Sequence, residues 1–188
     1  MGILPLLAAL NASPTAVFDI EGREAAVQTR ELSEYLRGRL AAQGLQILPS
    51  SDLTRALAGL KKTSLDPCYD SACQIELGKE VAAQRILATR LRRVSEECLL
   101  ISTVVDLTTE LIDQAATWKG ACTQDGLVTG LDQLATSLAT SPGDPESKRV
   151  FAAFPIAPRT ISQGLAGTID EYVVARLALS GRRVVPEP

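Results

Sequence analysis

Three consecutive β segments near the middle of the chain constrain the fold more than any other feature. Residues 85–92, 98–107 and 111–119 are rich in Leu, Val, Ile and Thr, and the second alternates between two unlike faces. Thr108 and Thr109 form the tight turn from the second segment to the third. This run predicts an antiparallel meander covered by other elements.

Helical and strand patterns flank the meander on both sides. Before it come strand 15–20, helix 30–43 with Gly44 at its carboxyl end, strand 45–48, and helices 53–60 and 71–81. A last helix spans 124–138. The order β-α-β-α-α-β-β-β-α predicts an α/β (α+β) fold, in which a mixed sheet opens with a parallel right-handed crossover.

The core must be built from aliphatic side chains, because only 4% of the residues are aromatic. The helix and strand periodicities place six apolar residues at core positions: Leu36, Leu40, Ile101, Val104, Leu131 and Leu134.

The end of the chain repeats its beginning at a shift of 137 residues. Glu34-Tyr35 falls on Glu171-Tyr172, and Gly44 falls on Gly181. We predict a domain at 15–140, a linker at 141–147, and the opening β-α-β of a second, incomplete copy at 148–188. Because such a unit exposes apolar helix residues, we expect it to pack on the first domain or to pair with another chain.

The amino terminus, residues 1–14, is similar to an export signal that is truncated or degenerate. An apolar run is followed by small residues, with a cleavage position after Ala12, although no Lys or Arg precedes the run. The alternative is a buried first helical turn or strand. The run is too short to span a bilayer, and no later segment is better suited to do so.

The charge and the missing residue types exclude several function classes. The net charge is −3 and there is no histidine, so Ser-His-Asp and Cys-His pairs and histidine metal sites are ruled out. The arginine run Arg85, Arg90, Arg92 and Arg93 is typical of a solvated strand and turn rather than of a nucleic-acid footprint. We expect no catalytic residue, metal, cofactor or nucleic-acid partner.

Four cysteines leave three interpretations open: a metal site, a redox pair or two structural disulfides. Cys73 lies in the first turn of a helix, where the helix dipole lowers a thiol pKa, but Cys68 and Cys73 are not spaced as CxxC. Disulfides Cys68–Cys73 and Cys98–Cys122 explain all four residues. In a hairpin turning at Thr108-Thr109, Cys98 faces Lys119, so the second bond needs the chain to fold back.

The stretches AVFDIEG, LTRAL, the Cys68–Cys73 block and STVVD resemble the TolB amino-terminal domain and its relatives. Those relatives are the curli secretion lipoprotein and the lipoprotein activators of penicillin-binding proteins. The cysteine-bearing block resembles forms found in delta-proteobacterial envelope proteins. The resemblance implies this fold in the periplasm or another exported location, with a cytoplasmic protein as the alternative.

Three functions follow as hypotheses. The first is a non-enzymatic cell-envelope module that binds another envelope protein or self-associates through residues 148–188. The second is a thiol-disulfide protein that uses Cys73 with Cys68. The third is a small-ligand sensor, for which Asp19 at the end of the first strand is the only carboxylate placed where α/β sheets bind ligands; more often such an aspartate caps a turn.

We predict that peptide mapping of the oxidised protein without reductant finds Cys68–Cys73 and Cys98–Cys122. One pair lies at the start of a predicted helix and the other at the open end of a predicted hairpin, and the cysteine count is even. Alkylation with and without reductant, followed by intact mass, is the matching control. A crossed pair or four free thiols would contradict the prediction.

Overall fold

The computed structural model describes residues 13–22, 29–60, 71–140, 150–152 and 162–185. None of the helices in these ranges is both long and apolar enough to cross a membrane. The elements in chain order are β1 (Thr15–Val17), α1 (Thr29–Ala42), α2 (Ser50–Leu60), α3 (Ser71–Glu80), β2 (Arg85–Val94), β3 (Glu97–Asp106), β4 (Leu111–Ala121), α4 (Gln124–Thr140), β5 (Val150–Ala152), α5 (Gln163–Leu179) and β6 (Arg183–Val185).

The six strands form one mixed sheet in the order β1-β2-β3-β4-β6-β5. The pairs β1–β2 and β5–β6 are parallel, whereas β2–β3, β3–β4 and β4–β6 are antiparallel. The predicted α+β fold with a mixed, helix-covered sheet is therefore confirmed.

The strand predicted at residues 45–48 is reduced to one parallel bridge between Ile47 and Thr15. The Thr15 amide donates to the Gln46 carbonyl at 2.8 Å, and the Leu48 amide donates to the Thr15 carbonyl at 3.0 Å. The segment cannot continue as a strand because Pro49 has no amide hydrogen and α2 begins at the next residue.

Apolar residues are buried on both faces of the sheet. Helices α1 and α4 cover one face, where Val17, Leu87 and Leu100 are buried. Helices α2, α3 and α5 cover the other, where Ile86 and Ile101 are buried. The six residues predicted as core are all buried: Leu36, Leu40, Ile101, Val104, Leu131 and Leu134.

A β-bulge in β4 corrects the predicted hairpin register. Asp106 lies opposite Leu111 as the turn at 108–109 requires, but beyond the bulge every pair is shifted by one residue. Cys98 therefore faces Gly120, not Lys119. The residues of the symmetric turn do not indicate the additional residue of β4, Asp113. Because of the shift, Cys122 lies two residues beyond the partner of Cys98 instead of three, which favours a Cys98–Cys122 bond.

Strands β5 and β6 belong to the same sheet as the earlier strands, and α5 packs on that sheet. Strand β6 pairs with β4 at Val184 and Ile112, and α5 packs on β3 and β4. Gly44 after α1 and Gly181 after α5 both have positive φ, 91° and 76°, and each amide donates to a carbonyl three residues earlier. The carboxyl-terminal unit thus packs on the rest of the chain, while the assignment of 148–188 as a second copy stays a prediction.

Replacing Leu131 by alanine should lower the free energy of unfolding by about 2–5 kcal/mol, because it empties a fully buried site on α4. Urea unfolding followed by the fluorescence of Trp118, the only tryptophan, measures the change. Leu179→Ala is the control, since Leu179 is exposed and should cost about 0.5 kcal/mol or less. Equal losses at both positions would show that the buried face of α4 has been misassigned.

Candidate protein-interaction surface

Cys98 and Cys122 are joined by a disulfide whose Cα atoms are 5.0 Å apart. Cys98 is fully buried in β3, and Cys122 directly follows β4, so the bond closes the open end of the hairpin. Cys73 in the first turn of α3 is also disulfide-bonded; Cys68, its predicted partner, lies outside the described residues. No cysteine in the described ranges is a free thiol.

Asp19 is held in an ion pair after β1. Its Oδ1 accepts a hydrogen bond from Arg37 Nη2 at 2.7 Å, and the guanidinium also donates to the Val17 carbonyl and to Glu34. Arg37 is buried whereas the Asp19 side chain is largely exposed. The aspartate therefore satisfies a buried cation, and a ligand role for Asp19 stays a prediction.

An ion-pair cluster made of Glu21, Arg90, Arg92 and Glu171 attaches α5 to the sheet. Arg90 Nε lies 3.1 Å from Glu21 and 3.7 Å from Glu171. Arg92 Nη2 lies 3.1 Å from Glu21 and 3.0 Å from Glu171. All four side chains are at most 27% exposed, so these arginines do not form the solvated strand that the charge run indicated.

Strand alternation explains why this cluster was missed. Arg90 and Arg92 are separated from Ile86 by even numbers of residues, so they share its sheet face, the one that α5 covers. Burial alone would lower the pKa of Arg92, but the carboxylates of Glu171 and Glu21 raise its pKa overall. A base whose pKa is raised on folding contributes its stability below its unfolded-state pKa, so Arg92 is charged and paired throughout the physiological pH range.

The unit formed by β5, α5 and β6, hereafter the tail unit, carries every large apolar side chain that is exposed among the described residues. Helix α5 packs on the sheet through Ala166, Val174, Ala175 and Ala178, while several of its other large apolar residues face outward. An ordinary surface helix instead turns most of its large apolar side chains to the core. The exposed residues are Val150, Leu165, Tyr172, Val173, Leu179 and Val185.

Two exposed surfaces result. One is the outer face of α5, defined here by Leu165, Tyr172, Val173, Arg176 and Leu179. The other is the end of the sheet, where β5 is the last strand and has no second strand neighbour among the described residues. An unpaired strand edge offers amide and carbonyl groups to another chain.

No protein-family model matches the sequence, and no curated protein is similar to it. Solved structures do match. The LpoB carboxyl-terminal domain from Salmonella enterica has 20% identity, covers 58% of this chain and 83% of that chain, and has a TM-score of 0.53. The domain from Escherichia coli has 19% identity, the same coverage and a TM-score of 0.52.

TolB from Acinetobacter baumannii also matches, with 8% identity over 68% of this chain and 27% of that chain and a TM-score of 0.42. The two LpoB domains share the fold of this chain over the matched part. At these identities the likeness concerns the fold alone.

Glu171→Gln should lower the free energy of unfolding by about 1–3 kcal/mol, because it removes a carboxylate from two partly buried arginines. Glu96→Gln is the matched control: Glu96 is exposed and pairs with exposed Arg93, at 3.6 Å. Chemical denaturation of both variants measures the difference. Identical stability would mean that the cluster does not hold α5 on the sheet.

Proposed function

We propose that this protein is a non-enzymatic module of the cell envelope that binds another protein through its tail unit. The observation that carries the proposal is that, among the described residues, all exposed large apolar side chains lie in β5, α5 and β6. Exposed apolar side chains gathered in one unit, rather than scattered singly, are characteristic of an interaction site. On the four sheet-covering helices outside this unit, no large apolar side chain that the structure describes is exposed.

The chemistry of the tail unit supports a protein as the partner. Tyr172 and Arg176 are residue types enriched in protein interfaces, and leucines flank them on the same helix. The end strand β5 adds an edge to which a further strand can pair. The net charge of −3 and the pairing of Arg90 and Arg92 with glutamates do not favour a nucleic acid.

The cysteines support an exported location. Disulfides persist in the periplasm and other oxidising compartments and are rare in the cytosol. The Cys98–Cys122 bond has its first cysteine fully buried at the end of a hairpin, where it braces the structure. A periplasmic or otherwise exported protein is therefore the location that we propose, and the LpoB fold is compatible with it.

A photo-crosslinking residue placed at Leu179 or at Val150 should give a discrete crosslinked product in intact cells that make the protein. Both positions are exposed in the tail unit. The same residue at Thr136, exposed on α4, is the control. Envelope fractions are compared by immunoblot and the product is identified by mass spectrometry. Absence of a product at the tail positions, or equal products at Thr136, would contradict the proposal.

A further inference from the structure

Within the chain, α1 shows how a helix with the sequence pattern of α5 contacts a neighbouring helix, α4. On α1, the Tyr35 hydroxyl donates a hydrogen bond to Asp132 Oδ1 of α4 at 2.8 Å. Arg39 Nε lies 2.6 Å from the same oxygen as an ion pair, although without the alignment of a hydrogen bond. The hydrogen bond to Asp132 raises the pKa of Tyr35. One carboxylate on α4 thus accepts a hydrogen bond from a tyrosine of α1 and forms an ion pair with an arginine of α1.

Helix α5 carries the same pair at the same place. Tyr172 and Arg176 are four residues apart like Tyr35 and Arg39, and Arg176 precedes Gly181 by the same distance as Arg39 precedes Gly44. Neither side chain has an ion pair or hydrogen-bond partner among the described residues, and both are exposed. On α5, the tyrosine and arginine donors that α1 directs at Asp132 therefore have no acceptor within the described part of the chain.

We propose that the outer face of α5 binds an α-helix of a partner protein, and that a carboxylate of this helix accepts from Tyr172 and Arg176 as Asp132 does within the chain. This inference rests on the proposed function and names the chemistry of the partner: an acidic, amphipathic helix. The guanidinium and the phenol supply only donors, so the complementary group is an acceptor, and a charge-assisted bond to a carboxylate is the strongest one that they can form.

The apolar residues of the outer face fit a helix lying along α5. Leu165, Tyr172 and Leu179 are spaced by seven residues, the spacing of a helix-pairing seam, and are exposed to nearly the same extent. Leucines would thus pack on either side of the polar contact at Tyr172. A second copy of the outer face fits less well, because that face has a cation and no carboxylate, so the two copies would be without an acceptor.

The probe is a synthetic peptide of residues 124–140, the chain's own α4 sequence. It is kept helical by a staple between positions 129 and 133, which are exposed on α4. Binding of the fluorescent peptide to the full chain is measured by anisotropy. The chain is tested with Tyr172→Phe or with Arg176→Gln. Arg55→Gln, at an exposed position on α2, is the control. The peptide is made with Asp132 or with Asp132→Asn.

We expect the peptide to bind, and Arg176→Gln, Tyr172→Phe and the Asp132→Asn peptide each to weaken binding by about three- to ten-fold. Arg55→Gln should change nothing, and Arg176→Gln combined with the Asp132→Asn peptide should cost less than the two separate effects multiplied. No binding, equal binding to the Arg176→Gln chain, or a dimer in light scattering that Arg176→Gln dissolves would overturn the inference.

The peptide-binding experiment can fail independently of the crosslinking experiment that tests the proposed function. Crosslinking at Leu179 together with a peptide that does not bind would leave a protein-binding module whose partner is not an acidic helix. Loss of both results would remove the function and the inference together.

Discussion

The burial of apolar side chains on both faces of the central strands is the constraint on which the rest of the structure depends. In β3, Leu100 points to one face and Ile101 to the other, and both are buried. A sheet of this kind is stable only when helices cover both sides. Helices α1 and α4 cover the first face, and α2 and α3 need α5 to complete the second. The tail unit is thus part of the core.

The way in which α5 meets the sheet determines what it presents to the outside. Its contact residues include three alanines, which bring the helix close to β3 and β4. Val174 is buried beside these alanines, but Leu165, Val173 and Leu179 lie on the opposite side of α5 and remain exposed. Val173 illustrates the difference: it is 42% exposed, whereas Leu36, at the matching position of α1, is fully buried. The same sequence pattern therefore covers a core in α1 and offers a surface in α5.

The sequence predicted the elements well, because hydrophobic periodicity follows from which residues are buried. It could not predict the bulge at Asp113, since the turn gives a symmetric register and the turn residues do not mark the extra residue. Burial there raises the pKa of the Asp113 carboxyl, an effect that no local pattern contains. The roles of Arg90 and Arg92 were missed because charge was considered without the alternation of the strand. That alternation, applied to β2, would have placed both on the α5 side.

The attachment of the tail unit also differs in kind from that of the central hairpin. Strands β3 and β4 are paired along ten positions and closed by Cys98–Cys122, whereas β6 is paired with β4 at one residue pair, Val184 with Ile112. The tail unit is held on the sheet by apolar contacts of α5 and of Val184 and by the Glu171 ion pairs. Local opening should cost the least free energy where backbone pairing is sparse, so the tail unit is the part of the sheet that opens first. A partner that binds the outer face of α5 in its docked position would oppose this opening, and its binding free energy would stabilise the second face of the core.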